Sequence, residues 1–570
     1  MKNLFKYFIV ASLVGSVGCE ELVEPVDENV LDADRLNYDP AFAEGVLMNA
    51  YASLINQYTL IDVATDDAVT NNLTNGYRRM AVGEWTAQFS PASRWNQYEP
   101  IFYVNRFLST LENVQWKRDS ATNELFELRL RGEALALRAL HHQYILQAHG
   151  GEGRSGELLG IPYYTEFIES SGDFNVPRLS FEESVNRINA DFDEALTLLP
   201  IDYTDDIAEV PARYEAFDPE AYKFVFGANN RLRISGRIIR AFQAKLALLA
   251  ASPAFLDGSS DHYQEAATRA AELLNDIGGV GGLDPDGLAF YDDDSDRNLP
   301  ELLWRSSVYR SSGPERAHFP PSLNGNGTAN PSQNLVDAFP MQNGYPLSDP
   351  NSGYDASQPY QGRDPRLATY ILYNGNALGN DTIYTGVGAG INRVDSIAGK
   401  STRSGYYLKK LLRPDVTIST DGSVTDQEHY NIFLRYTDLY LVFAEAANEL
   451  GGPDFAVGGM TARAVIAAIR QRAGIEQPDA YLQSIGTPEA MRELIRNERR
   501  LELCFEGHRF WDMRRWKLNL NEDIDGIFFN GNRYTMLDVE PRQFGERAIY
   551  GPIPQSETVK FSELEQNKGW

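Results

Sequence analysis

The chain has 570 residues, 43% of them hydrophobic, which allows a large core and is too apolar for a disordered polymer. Its formal net charge is −28 with no basic stripe to offset it, so nucleic-acid phosphates and anionic lipid heads both repel it. The two cysteines, Cys19 and Cys504, exclude a disulfide framework, and Cys504, between Leu503 and Phe505, reads as a small buried hydrophobe.

In chain order, Lys2 and Lys6 precede an apolar run over 7–17 that closes on Gly18, the pattern of a signal peptide over 1–18. That run is shorter than the ~20 residues a membrane-spanning helix needs. Residues 19–37 are acidic and aperiodic, which predicts a tether. A helical region follows over 38–279. Phe42, Val46, Ala50 and Leu54 share one face of its first helix. Residues 123–148 are apolar almost all round, which predicts a helix buried on two sides, and Gly132 within it calls for close packing. The span 181–199 is amphipathic, with Ser180 as cap, Glu183 three residues on and Pro200 as stop. Helices over 233–251 and 262–277 end at Ser252-Pro253 and Gly278-Gly279. Within the remaining region, 280–570, a further pair is predicted over 431–450 and 460–473, broken by Gly451-Gly452-Pro453. Such pairing is that of a tetratricopeptide-type solenoid, without a clean 34-residue period. Two long insertions interrupt it, 60–95 and 280–430; the second is rich in Gly, Pro, Asn, Asp and Ser, and reads as loops with short strands over 302–309 and 406–412.

Several segments, in order, resemble the SusD/RagB family. They are RWNQYEPIFYVNRFL (94–108), GEALALRALHHQYILQAHGG with GIPYYTE (132–166), GRDPRLATYI (362–371), LRYTDLYLVFAEAANELGG (434–452), IRQRAGI (469–475), RNERRLELCFEGHRFWDMRRW (496–516), GPIPQSE (551–557) and EQNKGW (565–570). Gly18-Cys19 is similar to a bacterial lipobox, with Cys19 the acylated residue, and Glu20-Glu21 to the export tag of surface lipoproteins. The resemblance implies a mainly α fold, about four tetratricopeptide-like helix pairs forming a superhelical scaffold with the irregular insertion packed on it. It also implies a lipid-anchored protein at the surface of the outer membrane, a SusC-like TonB-dependent transporter as partner, and an oligosaccharide as ligand. A peptide ligand, or a scaffold with no small ligand, are the alternatives.

The charged residues of 496–516 (among them Arg496, Glu498, Arg499, Arg500, Glu502, Glu506, Arg509, Asp512, Arg514 and Arg515) stand at helical spacing, which favours a structural ion-pair network over catalysis. His508 has no second ligand at metal-binding spacing. Asp292, Asp294 and Asp296 alternate as in a calcium loop, but Arg297 stands where that loop needs glycine. No G-x-S-x-G, H-E-x-x-H or C-x-x-C occurs, so neither an enzyme, a metal nor a cofactor is expected. Sugar recognition needs a flat aromatic for the C–H face and polar side chains for the hydroxyls. The first insertion, DVATDDAVTNNLTNGYRRMAVGEW (62–85), offers both: Trp85 as platform, with Asp66, Asp67, Asn71, Asn72, Tyr77 and Arg78 as hydroxyl partners. Trp304 and Tyr309, with Arg310 and His318, are candidates to complete the site, whereas Trp95, Trp511 and Trp516 are expected in the framework.

Overall fold

The computed structural model describes residues 33–169, 171–206, 210–288, 290–291 and 299–570. Cys19, the signal peptide expected over 1–18, and Asp292, Asp294 and Asp296 lie outside the described residues. Among the described residues, eight helices form the paired scaffold, α1 (Pro40–Ala52), α2 (Tyr98–Leu108), α3 (Ser120–His149), α4 (Phe181–Leu198), α5 (Gly236–Ala251), α6 (Ser260–Asp276), α7 (Tyr436–Gly451) and α8 (Ala462–Arg472). Each packs on the next in the chain, so the eight stack as four pairs, the tetratricopeptide-like arrangement expected. Local chemistry sets their ends. Asp39 accepts from the N–H groups of Ala41 and Phe42 at 3.1 and 3.2 Å, and Pro40 occupies the first helical position, where no N–H is needed. Ser180 Oγ accepts from Glu183 N–H at 3.0 Å. A Cβ on Gly132 would come within 2.8 Å of Leu199 Cγ, so the glycine is what lets α3 and α4 approach.

One apolar core runs through all four pairs, from Leu36 to Leu503, and includes Trp304 and Leu434. The regions 38–279 and 280–570 therefore share a single interior. Residues 432–435 depart from the helix expected over 431–450. They form strand β8 (Ile432–Arg435), paired antiparallel with β2 (Leu302–Arg305) before α7 begins at Tyr436. The second insertion is otherwise held by small ladders: β3 (Tyr309–Ser311) on β7 (Gln427–His429), β5 (Asn376–Leu378) on β6 (Asp381–Ile383), and β4 (Ala329–Pro331) on β1 (Ala68–Thr70) of the first insertion. A second apolar cluster lies under these strands. It joins Val63 and Ala68 to Phe339, Tyr370 and Tyr407, and to Cys504, whose thiol burial pushes up to about 12.

The segment 496–516 spans the end of α9 (Pro488–Glu502) and α10 (Arg509–Arg515); most of its charges are buried and paired, whereas Arg514 has no acidic partner among the described residues and donates to the carbonyls of Ala548, Ile549 and Ala148. Arg366 meets Asp364, Glu498 and Glu502 at 2.6, 2.8 and 2.9 Å. Arg499 bridges Asp438 and Asp512 at 2.7 and 2.8 Å, and Arg515 bridges Glu445 and Asp512 at 2.6 and 2.8 Å. Lys410 and Arg435 converge on Glu506 at 2.7 and 2.8 Å. Trp511 and Trp516 are buried beside this lattice, and the Trp516 indole N–H donates to Glu445 Oε1 at 2.7 Å. The charges tie α7, α9, α10 and the second insertion into one unit, the structural network expected, but apart from Arg515 with Asp512 these pairs of 496–516 are long-range and not the local i,i+3 and i,i+4 pairs the spacing suggested.

A candidate ligand site on the second insertion

The first insertion does not present the surface its sequence promised. Trp85 is 4% exposed, and its ring packs on Phe510, Phe544 and Trp570 with centroids 5.9, 6.0 and 5.0 Å away. Its indole N–H donates to Ser90 Oγ at 3.0 Å. No face is left for a sugar, so the assignment of Trp85 as stacking platform is corrected to a core residue. Asp66 and Asp67 are likewise buried. Arg500 reaches Asp67 at 2.6 Å and Asp66 at 3.0 Å, and Arg509 reaches Asp66 at 2.7 Å. Burial alone would raise the Asp66 carboxyl, but the two guanidinium groups outweigh it and hold it well below the usual carboxylate range. These acids belong to the ion-pair lattice of α9 and α10, which removes them from the list of hydroxyl partners.

The remaining candidates are dispersed. Asn71 is buried and donates to the carbonyls of Asn326 and Gly327 at 2.9 and 2.8 Å, pinning one insertion to the other. Arg78 is paired with Glu540 at 2.6 Å, and Tyr77 is half-buried against two apolar clusters. Asn72 is exposed, with its Oδ1 accepting from Thr74 N–H and Oγ at 3.1 and 2.8 Å. Trp304 is buried against Phe433 and donates to Leu232 O at 2.9 Å, so it too is framework. Tyr309 does reach the surface, its hydroxyl donating to Asn431 Oδ1 at 3.2 Å, and Arg310 bonds the Asp426 carbonyl beside it.

The chemistry sought in the first insertion occurs instead on the β5–β6 hairpin. A depression of about 500 Å³ is lined by Ser322, Asn374, Asp381, Thr382, Tyr384 and Phe529, among others. The hairpin turns at Gly379-Asn380, where Gly379 takes φ +57°, a conformation open to glycine without strain. Strand alternation puts Ile383 inward and buried, with Thr382 and Tyr384 on the other face, and Tyr384 is 55% exposed. The hairpin's exit is clamped. Asn374 Oδ1 accepts from the N–H groups of Thr385 and Gly386 at 2.9 and 3.1 Å, and Val387 N–H donates to Phe529 O at 2.8 Å. Asn392 Nδ2 donates to Ser322 Oγ at 2.7 Å across the rim. The framework amides are thus spent on rigidity, whereas Asp381, Thr382 and the Tyr384 phenol face the depression with no side-chain bond among the described residues.

A second cleft, of about 200 Å³, lies where α2 meets the segment after α3, between Trp95, Tyr98, Phe102, Tyr164, Phe174 and Phe561. Its walls are richer in aromatic rings, but its hydroxyl and amide groups are committed. Asn105 donates to the carbonyls of Tyr164 and Glu166, Tyr98 to Pro162 O and Tyr164 to Phe174 O. Without free hydroxyl or amide groups it suits an apolar partner better than a sugar.

A model described as the SusD family matches residues 300–570, and one described as starch-binding, associating with outer membrane, matches residues 40–217. The chain belongs to the SusD family. SusD-like protein P25 of Formosa agariphila is 33% identical over 128 residues, but the match spans only 22% of either chain. SusD-like protein P38 of the same organism is 23% identical over 470 residues, covering 79% of this chain and 75% of that one. A SusD-like protein of Bacteroides fragilis superposes with a TM-score of 0.73 at 23% identity, covering 95% and 99% of the two chains. A second from that organism, described as a SusD-like carbohydrate-binding protein, gives 0.69 at 20% identity over 93% and 100%. These SusD-like structures share the helix-rich fold. The run 496–516, one of the segments that resemble the family, is part of a buried ion-pair lattice and so belongs to the framework. Tyr384 carries no such mark; the only sequence signal for it is the alternation Thr382, Ile383, Tyr384 after a Gly-Asn turn.

Proposed function

We propose that this SusD-family protein binds an oligosaccharide in the Tyr384 depression and acts as the surface lid of a SusC-like TonB-dependent transporter, anchored by acyl chains on Cys19. The family description supports binding at the outer membrane, and a structural neighbour described as carbohydrate-binding supports the ligand class. The observation that carries the reading is Tyr384, an open ring on a clamped hairpin with a carboxylate and a hydroxyl beside it. The ring would stack on a sugar's C–H face, and Asp381 and Thr382 would take its hydroxyls. Catalysis is not part of the reading: the carboxylates of 496–516 are bonded to arginines and lysines, with none among the residues that line this depression.

Ligand held between lid and barrel favours the closed state, which couples binding to uptake. One ring in a shallow depression corresponds to a dissociation constant of about 1 µM to 1 mM. Calorimetry of the lipid-free protein against plant, microbial and host oligosaccharides, with peptides in parallel, tests it. The expected result is one glycan class bound in that range and lost about tenfold in Tyr384→Ala, a contact worth roughly 1.4 kcal/mol. Binding of peptides alone, or a glycan bound equally well by Tyr384→Ala, would remove the assignment.

A further inference from the structure

A cavity of about 130 Å³ lies where α3, α5 and α7 meet the turn from α9 into α10. Phe242 and Phe433 give it apolar wall, and four cations line it: Arg94, Lys245, Arg499 and Arg515. Three of these belong to the lattice. Lys245, Arg499 and Arg515 share Asp438, Asp512 and Glu445, so each positive charge in that group is matched by a negative one. Arg94 is left over. Among the described residues its side chain makes no ion pair. It donates once, to Gln147 Oε1, and stacks over the Trp511 and Tyr144 rings at 4.0 and 5.6 Å from their centroids. Burial brings its guanidinium down to about 10, with no carboxylate to counter that. Arg514, also without an acidic partner, stands 5.3 Å from the same Trp511 ring, so positive charge is locally in excess in a chain of net charge −28.

We propose that this cavity is a second binding site, for a small organic carboxylate held by Arg94. The half-buried polar side chains of the lining, Arg94, Gln147, Lys245 and His508, all have donors to spare. Arg94 Nε and Nη2 and Gln147 Nε2 have no hydrogen bond among the described residues, and Lys245 gives a single N–H, to Asp438 at 2.5 Å. His508 Nδ1 lies 3.3 Å from Arg499 Nη2; a guanidinium only donates, so the neutral ring carries its proton on Nε2. The acceptors are spent: Asp512 takes Arg499 and Arg515, and Glu506 takes Lys410 and Arg435. A wall of spare donors with no spare carboxylate rejects a cation and suits an anion, and the planar guanidinium fork matches the two oxygens of a carboxylate. The space equals about four water molecules at ~30 Å³ each, which admits a carboxylate with a short apolar tail against Phe242 and Phe433 and excludes an oligosaccharide. The inference stands apart from the oligosaccharide reading, since neither Tyr384 nor its neighbours line this cavity.

Propionate and propionamide, alike in shape but for the charge, are the probes, titrated by calorimetry into the full chain at constant ionic strength. Propionate is expected to bind with a dissociation constant on the order of 1 mM, at least tenfold more tightly than propionamide. Arg94→Met, which keeps a long side chain over Trp511 but removes the charge, should weaken propionate at least tenfold, and chloride at equal concentration should not displace it. A crystal soaked in propionate should show the carboxylate on the Arg94 guanidinium, a readout that stands with the amide comparison even if Arg94→Met fails to fold. No propionate binding, equal affinity for propionamide, displacement by equimolar chloride, binding that survives a folded Arg94→Met, or a soaked crystal with only water at Arg94 would overturn the proposal.

Discussion

The first insertion turns an aspartate pair and a tryptophan toward the helices, whereas the second turns an aspartate, a threonine and a tyrosine outward on a hairpin. The residue types are nearly the same; what differs is what stands opposite. Asp66 and Asp67 face Arg500 and Arg509, and Trp85 faces Phe510, so α9 and α10 take up the acid pair and the ring that the loop could have offered a ligand. The β5–β6 hairpin is clamped through Asn374 and Asn392, which leaves Asp381, Thr382 and Tyr384 without a side-chain bond among the described residues. An acid or an aromatic in a loop is thus neither a site nor a strut until its opposite number is known.

Four measurements sharpen or break this contrast. The largest effect should come from the lattice: Arg366→Ala leaves Asp364, Glu498 and Glu502 buried without their cation, and denaturation should show a loss of about 3–5 kcal/mol or no folded protein. Trp85→Ala should cost a similar ~3–5 kcal/mol as a core deletion, yet keep full glycan affinity below its melting temperature. A folded Trp85→Ala protein that has lost glycan binding would return the site to the first insertion.

Acid comes next. Burial pushes the Glu506 carboxyl up, but Arg435 and Lys410 outweigh it and hold it down to about 2, below the unfolded value of about 4.3. Its contribution is therefore present above about pH 4.3 and lost as pH falls toward 2, so melts should decline across that window and decline less in Glu506→Gln. The smallest effect on stability is expected from Tyr384→Ala, within about 0.5 kcal/mol by thermal melt, because its ring packs on nothing the fold needs.

The scaffold was readable because its signals are local. Ser180 with Glu183 and Pro200 marked α4, and Gly132 marked a tight helix crossing before any partner was known. The run 432–435 misled because Ile432, Phe433 and Leu434 are as apolar as the helix they lead into; only their pairing with 302–305, far back in the chain, makes them a strand. The site failed for the same reason at greater range: Asp66 meets Arg509 across 443 positions, a distance no periodicity spans. Charges at i,i+3 and i,i+4 in 496–516 did announce a structural lattice, but not that its reach extends to the first insertion.

That long-range closure has a consequence for how the molecule is made. Asp66 and Asp67 meet their cations only when Arg500 and Arg509 are in place, Arg542 ties the Thr65 carbonyl, and the Trp85 cluster needs Phe510 and Phe544. A fragment ending near residue 280 would hold raw carboxylates and an unfilled aromatic nest, so neither half can be expected to mature alone. Folding should be slow and cooperative, with the late-synthesised stretch acting as the keystone of the early one.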